Sequence, residues 1–242
     1  MKKLSYGFHF ATGRNRGLIS SYHRGGGHKK KLRVIDRFRF LYDVPAKVLS
    51  IDYDPTRSAR LALLLYTNGF VSYVPAIEGV SVGSYVCSVD SSVNSERSEL
   101  GLSCPLRFVK TGLRVSNIEL YPGYGSTVVR ASGVFATLIR KYESVALLKL
   151  SSGEFRFFSL ASFCTIGAVL EPTRSLRSFK AGFNRWHGWR PVVRGRAMNP
   201  VDHPHGGRTN GGMTPTTPWA RAVKGQKTSR SVSSLRLKSF RV

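Results

Sequence analysis

The residues of this chain that could do chemistry gather in four segments, and each mixes cations with glycine, histidine or aromatic rings. The first is Tyr22-His23-Arg24-Gly25-Gly26-Gly27-His28-Lys29-Lys30-Lys31. Three glycines let backbone N–H groups approach a phosphate without side-chain obstruction. The flanking cations and histidines can donate to phosphate oxygens. A flexible glycine hinge in a basic tail is the alternative. The segment lacks the G-x-x-x-x-G-K-[ST] spacing of a P-loop. It also lacks the preceding strand and crossover helix of a dinucleotide fold.

The second segment is Arg185-Trp186-His187-Gly188-Trp189-Arg190-Pro191. Arginine and tryptophan planes can stack on unpaired bases while other guanidinia fork onto phosphates. An amphipathic edge packed on the body of the protein, with one tryptophan in the core, is the competing reading. The third is Met198-Asn199-Pro200-Val201-Asp202-His203-Pro204-His205-Gly206-Gly207, where two prolines and two glycines forbid regular structure and imply a shaped loop. Asp202 beside His203 invites a general-base reading, and His203-x-His205 invites a metal reading. No recognisable nucleophile accompanies the first, and carboxylates are scarce for the second. A loop fitted to RNA is the better account, so no catalytic residue and no metal ligand is assigned. The fourth runs through Thr217-Pro218-Trp219-Ala220-Arg221 to Lys224, Lys227 and Arg230, an extended basic strand suited to threading between RNA helices. Arg14, Arg16 and Arg33 near the start, and Arg194 and Arg196 before the third segment, complete the expected RNA-binding set.

Composition supports a polyanionic partner. The 242 residues carry 38 Lys+Arg against 13 Asp+Glu, a net charge of +25. Such a surplus points first to nucleic acid. Hydrophobic residues at 41% still provide for a real core, so the chain is not a disordered polyelectrolyte. Charge is uneven: residues 1–40 hold +10, residues 41–170 only +2, and residues 171–242 hold +13. All six histidines and all three tryptophans also lie in the basic arms. Bulky rings are wasted on a solvating tail but useful for base stacking. The arms are therefore expected to gain their shape on RNA.

Three widely spaced cysteines, Cys87, Cys104 and Cys164, support neither a zinc motif nor a disulfide scaffold. No apolar run approaches the roughly 18 residues of a membrane span. The first residues are expected to be neither a secretory signal nor a confident transit peptide.

The elements that must hold these segments read as β. Leu49, Ile51 and Tyr53 alternate with Ser50, Asp52 and Asp54, the period of a half-buried strand. Residues 61–66 and 70–74 are apolar runs joined through Asn68-Gly69, which suits a type I′ hairpin turn. Residues 145–150 and 154–160 form a second hairpin about Ser151-Ser152-Gly153, and Tyr121-Pro122-Gly123-Tyr124-Gly125 is another turn. Many short strands with regular turns predict two small closed barrels, with a boundary within residues 90–103. Residues 173–183 are the one candidate for a short basic helix.

Several segments then resemble a known family. They are Arg24-Gly25-Gly26-Gly27-His28-Lys29, Tyr53-Asp54-Pro55-x-Arg57-Ser58-Ala59, Asn117-Ile118-Glu119-Leu120-x-Pro122-Gly123, residues 197–207, and Thr217-Pro218-Trp219 with Lys224-Gly225-x-Lys227-Thr228. In this order they are similar to the universal large-subunit ribosomal protein L-two family, over about residues 13–230. The resemblance implies an all-β fold: an OB-fold barrel (34–98), then an SH3-like barrel (99–172), flanked by basic extensions (1–33 and 173–242). It also implies binding to large-subunit rRNA near the peptidyl transferase centre and the subunit interface. Other large-subunit proteins and the small subunit are the implied neighbours, and the 202–207 loop is implied to point toward that centre. A catalytic part for His203 has been entertained for the family; a structural part is expected here. No cofactor is expected, with rRNA-associated Mg²⁺ the one ion left open. Three features depart from the family: a largely missing N-terminal extension ahead of Gly13, Arg208 after Gly206-Gly207 where a third glycine is usual, and an unusual stretch at residues 90–105. Together with abundant Phe, Ser, Leu and Tyr they suggest an organelle-encoded member, with the mitochondrial matrix first and a plastid or bacterial cytoplasm as alternatives.

Overall fold

Strands are dictated by short apolar alternations cut by glycine turns, and a computed structural model of the chain bears this out. It describes residues 4–8, 13–90, 96–171, 180–208, 214–225 and 236–237. In chain order the strands are β1 (Ser5–Phe8), β2 (Arg14–Asn15), β3 (Leu18–Ile19), β4 (Lys30–Arg33), β5 (Ala46–Asp52), β6 (Leu61–Tyr66), β7 (Val71–Pro75), β8 (Tyr85–Val86) and β9 (Ser103–Pro105). They continue as β10 (Arg114–Ser116), β11 (Ile118–Glu119), β12 (Ser126–Val128), β13 (Ala136–Lys141), β14 (Val145–Lys149), β15 (Phe155–Ser159), β16 (Phe163–Ile166) and β17 (Arg236–Leu237). The α-helix among the described residues is a single turn, α1 (Phe183–Trp186). The expected helix at residues 173–183 falls mostly outside the described residues. No helix among them is long and apolar enough to cross a membrane.

The chain divides into two units. The first comprises Met1–Phe8, Lys30–Leu176 and Ser233–Val242, and the second His9–Lys29 with Arg177–Val232. The first unit holds both barrels. A four-stranded half-barrel of order β7-β6-β5-β8 is the OB-like part, and a seven-stranded sheet of order β17-β15-β14-β13-β10-β16-β9 is the SH3-like part. Each has its own core. Val48, Leu64, Tyr66 and Val74 fill the first, and Leu106, Val115, Ile118, Leu138, Leu148 and Ile166 fill the second. Strand pairing leaves both ladders open. Single bridges, Ile35 to Tyr73 and Ser88 to Ser103, meet their edges instead.

Two local expectations are corrected. On β5 the buried residues are Ala46 and Val48, while Leu49 is exposed. The pairing with β6 slips between Val48 and Ser50. Leu49 is the extra residue of a β-bulge, so the alternation changes face there. The Asn68-Gly69 turn is not type I′, because Gly69 is left-handed (φ 79°) and Asn68 is not. Gly69 N–H donates to the Tyr66 carbonyl, and Tyr66 N–H to that of Phe70. This is a three-residue loop ending in a left-handed glycine. The 151–153 hairpin repeats it, with Gly153 at φ 81° and its N–H on the Leu150 carbonyl.

Candidate nucleic-acid interface

The second unit brings the basic ends of the chain together. Its seam is main-chain pairing: Gly25 N–H donates to the Gly188 carbonyl (3.0 Å), His28 N–H to that of Trp186 (3.0 Å) and Arg190 N–H to that of His23 (2.9 Å). Glycine makes the approach feasible. Gly27 sits at φ 96°, and a Cβ there would meet Gly188 N at 2.9 Å. At least one of the three glycines therefore admits another strand of the same protein rather than a phosphate. A Cβ on Gly26, by contrast, would meet nothing within 4 Å. The described residues of the arms thus hold a shape against each other, which corrects the expectation that the arms gain their shape on RNA.

The seam also fixes side chains. The Arg24 guanidinium lies over the Trp189 ring, 3.3 Å from its centroid. His23 Nδ1 lies 3.0 Å from the Pro191 carbonyl, and His187 Nδ1 lies 2.9 Å from that of Phe183. Trp219 meets Tyr22 edge-on with centroids 5.7 Å apart. Trp186, Trp189 and Trp219 are 55%, 46% and 62% exposed, so none is a core residue. Next to the Arg24–Trp189 stack lies an open recess of about 300 Å³ lined by Arg14, Arg24, Arg185, Arg190, Gly25 and Gly26. Four cations around backbone glycines, with no carboxylate in the lining, have the chemistry to hold an anion.

The 198–207 loop closes on itself. Gly207 N–H donates to the Met198 carbonyl, and the N–H groups of Asp202 and His203 to that of Asn199. His203 is buried, and its Nδ1 accepts the His205 N–H at 3.0 Å. A Cβ on Gly195 would run into that ring at 2.5 Å, and one on Gly206 into the Asn199 carbonyl at 2.1 Å. His203 is therefore a packing centre of the loop. His205 Nε2 lies 3.0 Å from the Thr214 carbonyl and 3.1 Å from Thr216 Oγ1. No group of three His, Cys, Asp or Glu side chains is assembled among the described residues.

Arg16, Arg194, Arg196, Asn199, Asp202, Arg221 and Lys224 are exposed in this unit. Lys29 ends its first segment, and Lys30, Lys31 and Arg33 stand instead on β4 of the first unit. Lys227 and Arg230 lie outside the described residues.

A cationic group on the first unit escaped the sequence reading. Asp54, fully buried, accepts Thr56 N–H (2.8 Å), Thr56 Oγ1–H (2.7 Å) and Arg57 Nε–H (2.8 Å). This Asx-type turn fixes Arg57. Arg130 has its guanidinium pulled below the ordinary arginine range, first by burial and then by repulsion from Arg57 and Arg37. Its Nε is buried and has no hydrogen-bond partner among the described residues. Val129, just before it, stands at φ 57°, a strained conformation for a β-branched residue. Repelled arginines with an unmet donor suit an incoming phosphate. The signal in the sequence was Asp54-Pro55-x-Arg57, but nothing linked it to Arg130.

Comparison with known proteins agrees with this picture. Residues 1–88 match the model of the Ribosomal Proteins L2, RNA binding N-terminal domain, and residues 99–220 that of the Ribosomal Proteins L2, C-terminal domain. Large ribosomal subunit protein uL2 of Rickettsia felis is 44% identical over 237 residues, covering 96% of this chain and 85% of the relative. The same protein of Rickettsia prowazekii is 43% identical over 236 residues, with coverage of 96% and 85%. Two half-barrels in one unit, a cation-rich second unit and these matches point to one class, the RNA-binding ribosomal proteins. The chain belongs to the uL2 family of large ribosomal subunit proteins.

Proposed function

We propose that this chain is a structural constituent of the large ribosomal subunit that binds large-subunit rRNA. The observation that carries this is the recess lined by Arg14, Arg24, Arg185 and Arg190, built from both ends of a family member. The barrels supply a nearly neutral body. The paired arms supply phosphate donors and exposed indoles, and Arg57 and Arg130 add a second cationic point.

The 202–207 loop reaches toward the peptidyl transferase region, and the neighbours are other large-subunit proteins and the small subunit across the interface. The functional division is an N-terminal extension (1–33), two barrels (34–98 and 99–172) and a C-terminal extension (173–242). The role is structural, with Mg²⁺ arriving in association with the RNA. Support for a structural His203 is its burial and the use of its Nδ1 inside the loop. The relatives are Rickettsia proteins, which suits a mitochondrial matrix and a bacterial cytoplasm equally; we favour the matrix on the composition.

Binding of the full chain to large-subunit rRNA across a salt series tests the function. If roughly ten phosphates are neutralised, log K against log salt has a slope of about −7 to −9. A slope near −1 would overturn the reading.

A further inference from the structure

The first unit exposes aromatic rings that its cores do not use. Phe38 and Phe40 stack with centroids 5.0 Å apart and an interplanar angle of 20°. Tyr42 stacks on Phe163 at 5.4 Å and 26°. Tyr121 and Tyr124 meet edge-on at 6.1 Å. Phe40, Tyr121 and Tyr124 are 58%, 54% and 74% exposed.

These rings stand on two loops tied to each other. Phe38 and Arg39 both donate their N–H to Asp36 Oδ1 at 3.0 Å, which fixes the first loop. Arg39, left-handed at φ 58°, turns its guanidinium inward to Ser88 Oγ (2.9 Å) and the Cys87 carbonyl (3.3 Å). The second loop is held by the buried Glu119 carboxylate, which accepts the N–H groups of Gly123 (3.1 Å) and Gly125 (2.9 Å). Ser126 N–H donates to the Arg37 carbonyl at 2.8 Å. The Phe38 ring lies so close to Gly125 that a Cβ there would meet it at 3.0 Å.

We propose that the 36–42 loop and the 121–125 turn form a stacking platform for unpaired RNA bases, with the exposed Arg37 beside it as a phosphate donor. The platform rests on the RNA-binding function proposed above and deepens it. Rigid exposed rings are worth most to a flat π-faced ligand, and stacking of this kind is indifferent to base identity. The ligand is nucleic acid rather than an apolar peptide because the exposed charge of the 36–42 loop is the Arg37 cation, while the Asp36 and Glu119 carboxylates are engaged by loop N–H groups and Asp90 bears on Tyr42 from outside these loops. Arg37 is exposed, and with Arg57 it bears on the half-buried Arg130.

The test uses the full chain with a single-stranded oligouridylate and with a fully paired RNA duplex of equal length. The variants are F40L and Y124L, which keep apolar bulk but remove a π-face, and Y124F, which keeps the face. Each leucine variant is expected to weaken single-strand binding roughly tenfold, leave the salt slope and the duplex affinity unchanged, and retain the thermal unfolding midpoint. Y124F should bind like the parent. Ultraviolet crosslinks from the oligouridylate should map to residues 38–42 and 121–124. Parental single-strand affinity in both leucine variants, with crosslinks confined to the arms, would overturn the platform while leaving the RNA-binding function standing. Loss of a neighbouring protein from the subunit in these variants, with RNA affinity intact, would assign the rings to a protein contact and so also overturn it. Binding of neither RNA by the parental chain would overturn the function itself.

Discussion

A guanidinium 3.3 Å from the centroid of an indole is the most specific residue-level feature of the arms. Arg24 gains from the π-face, roughly 0.5–2 kcal/mol by exposure, yet keeps N–H donors for the recess beside it. Arg24→Ala should therefore lower rRNA affinity about tenfold and flatten the salt slope by about 1, both read from a binding titration across salt. Both residues were legible as RNA-binding types. Their contact was not, because they lie at opposite ends of the sequence and nothing local announces that the ends meet. His203 shows the opposite case. Its neighbour Asp202 suggested acid–base chemistry, but the ring's role is set by Gly195 beneath it and the His205 N–H. Glu119 was visible only as a motif letter. Buried and accepting N–H groups from Gly123, Gly125 and Phe163, it organises a turn and a strand start. Glu119→Gln should destabilise the first unit by about 1–3 kcal/mol in denaturant unfolding, since a neutral amide leaves some of these donors weakly met.

At the scale of elements, the hairpins were readable because glycine marks a left-handed position whatever the strand partners do. The turn type was missed at Asn68 because it depends on how the strands leave the ladder, not on the dipeptide. The bulge at Leu49 was invisible for a related reason: a one-residue slip leaves no mark in the hydrophobic alternation and only reassigns faces. The arm seam is the clearest element-level prediction. Gly27→Ala forces a Cβ against the Gly188 backbone and puts a side chain at φ 96°. Amide hydrogen exchange at Gly25, His28 and Arg190 should quicken by at least tenfold, while β6 and β14 amides keep their protection. Equal quickening in both units would show that the seam is not a separate element.

For the whole molecule, the division of charge foretold the division of labour. The near-neutral middle carries the two cores, and stretches of the basic ends, residues 9–29 and 177–232, build the second unit, while the rest of those ends belongs to the first. The cysteines belong to the body. Cys104 and Cys164 face each other across β9 and β16, fully buried. Hydrogen bonding of the neutral Cys164 thiol to Cys104, followed by burial, pushes the Cys164 thiol up. A raised thiol value means that the folded state holds the neutral form. An ordinary thiol loses its proton at about pH 9, so the contribution of Cys164 to stability should be constant below that pH and fall above it, read as the difference between parent and Cys164→Ala. A difference in denaturant midpoint that rose between pH 8 and pH 10 would contradict this. In the native state at neutral pH both thiols should resist alkylation, as mass spectrometry of labelled chain can show.

The paired basic ends are expected to hold the β body in large-subunit rRNA through a high-salt wash. Sedimentation of cell extract through a high-salt gradient tests it most directly. The chain should travel with the large subunit, and a version lacking residues 177–242, which removes one side of the seam together with the edge strand β17, should remain at the top although it keeps both cores. Full-length chain washed free of the subunit at high salt would show that the basic ends do not anchor it.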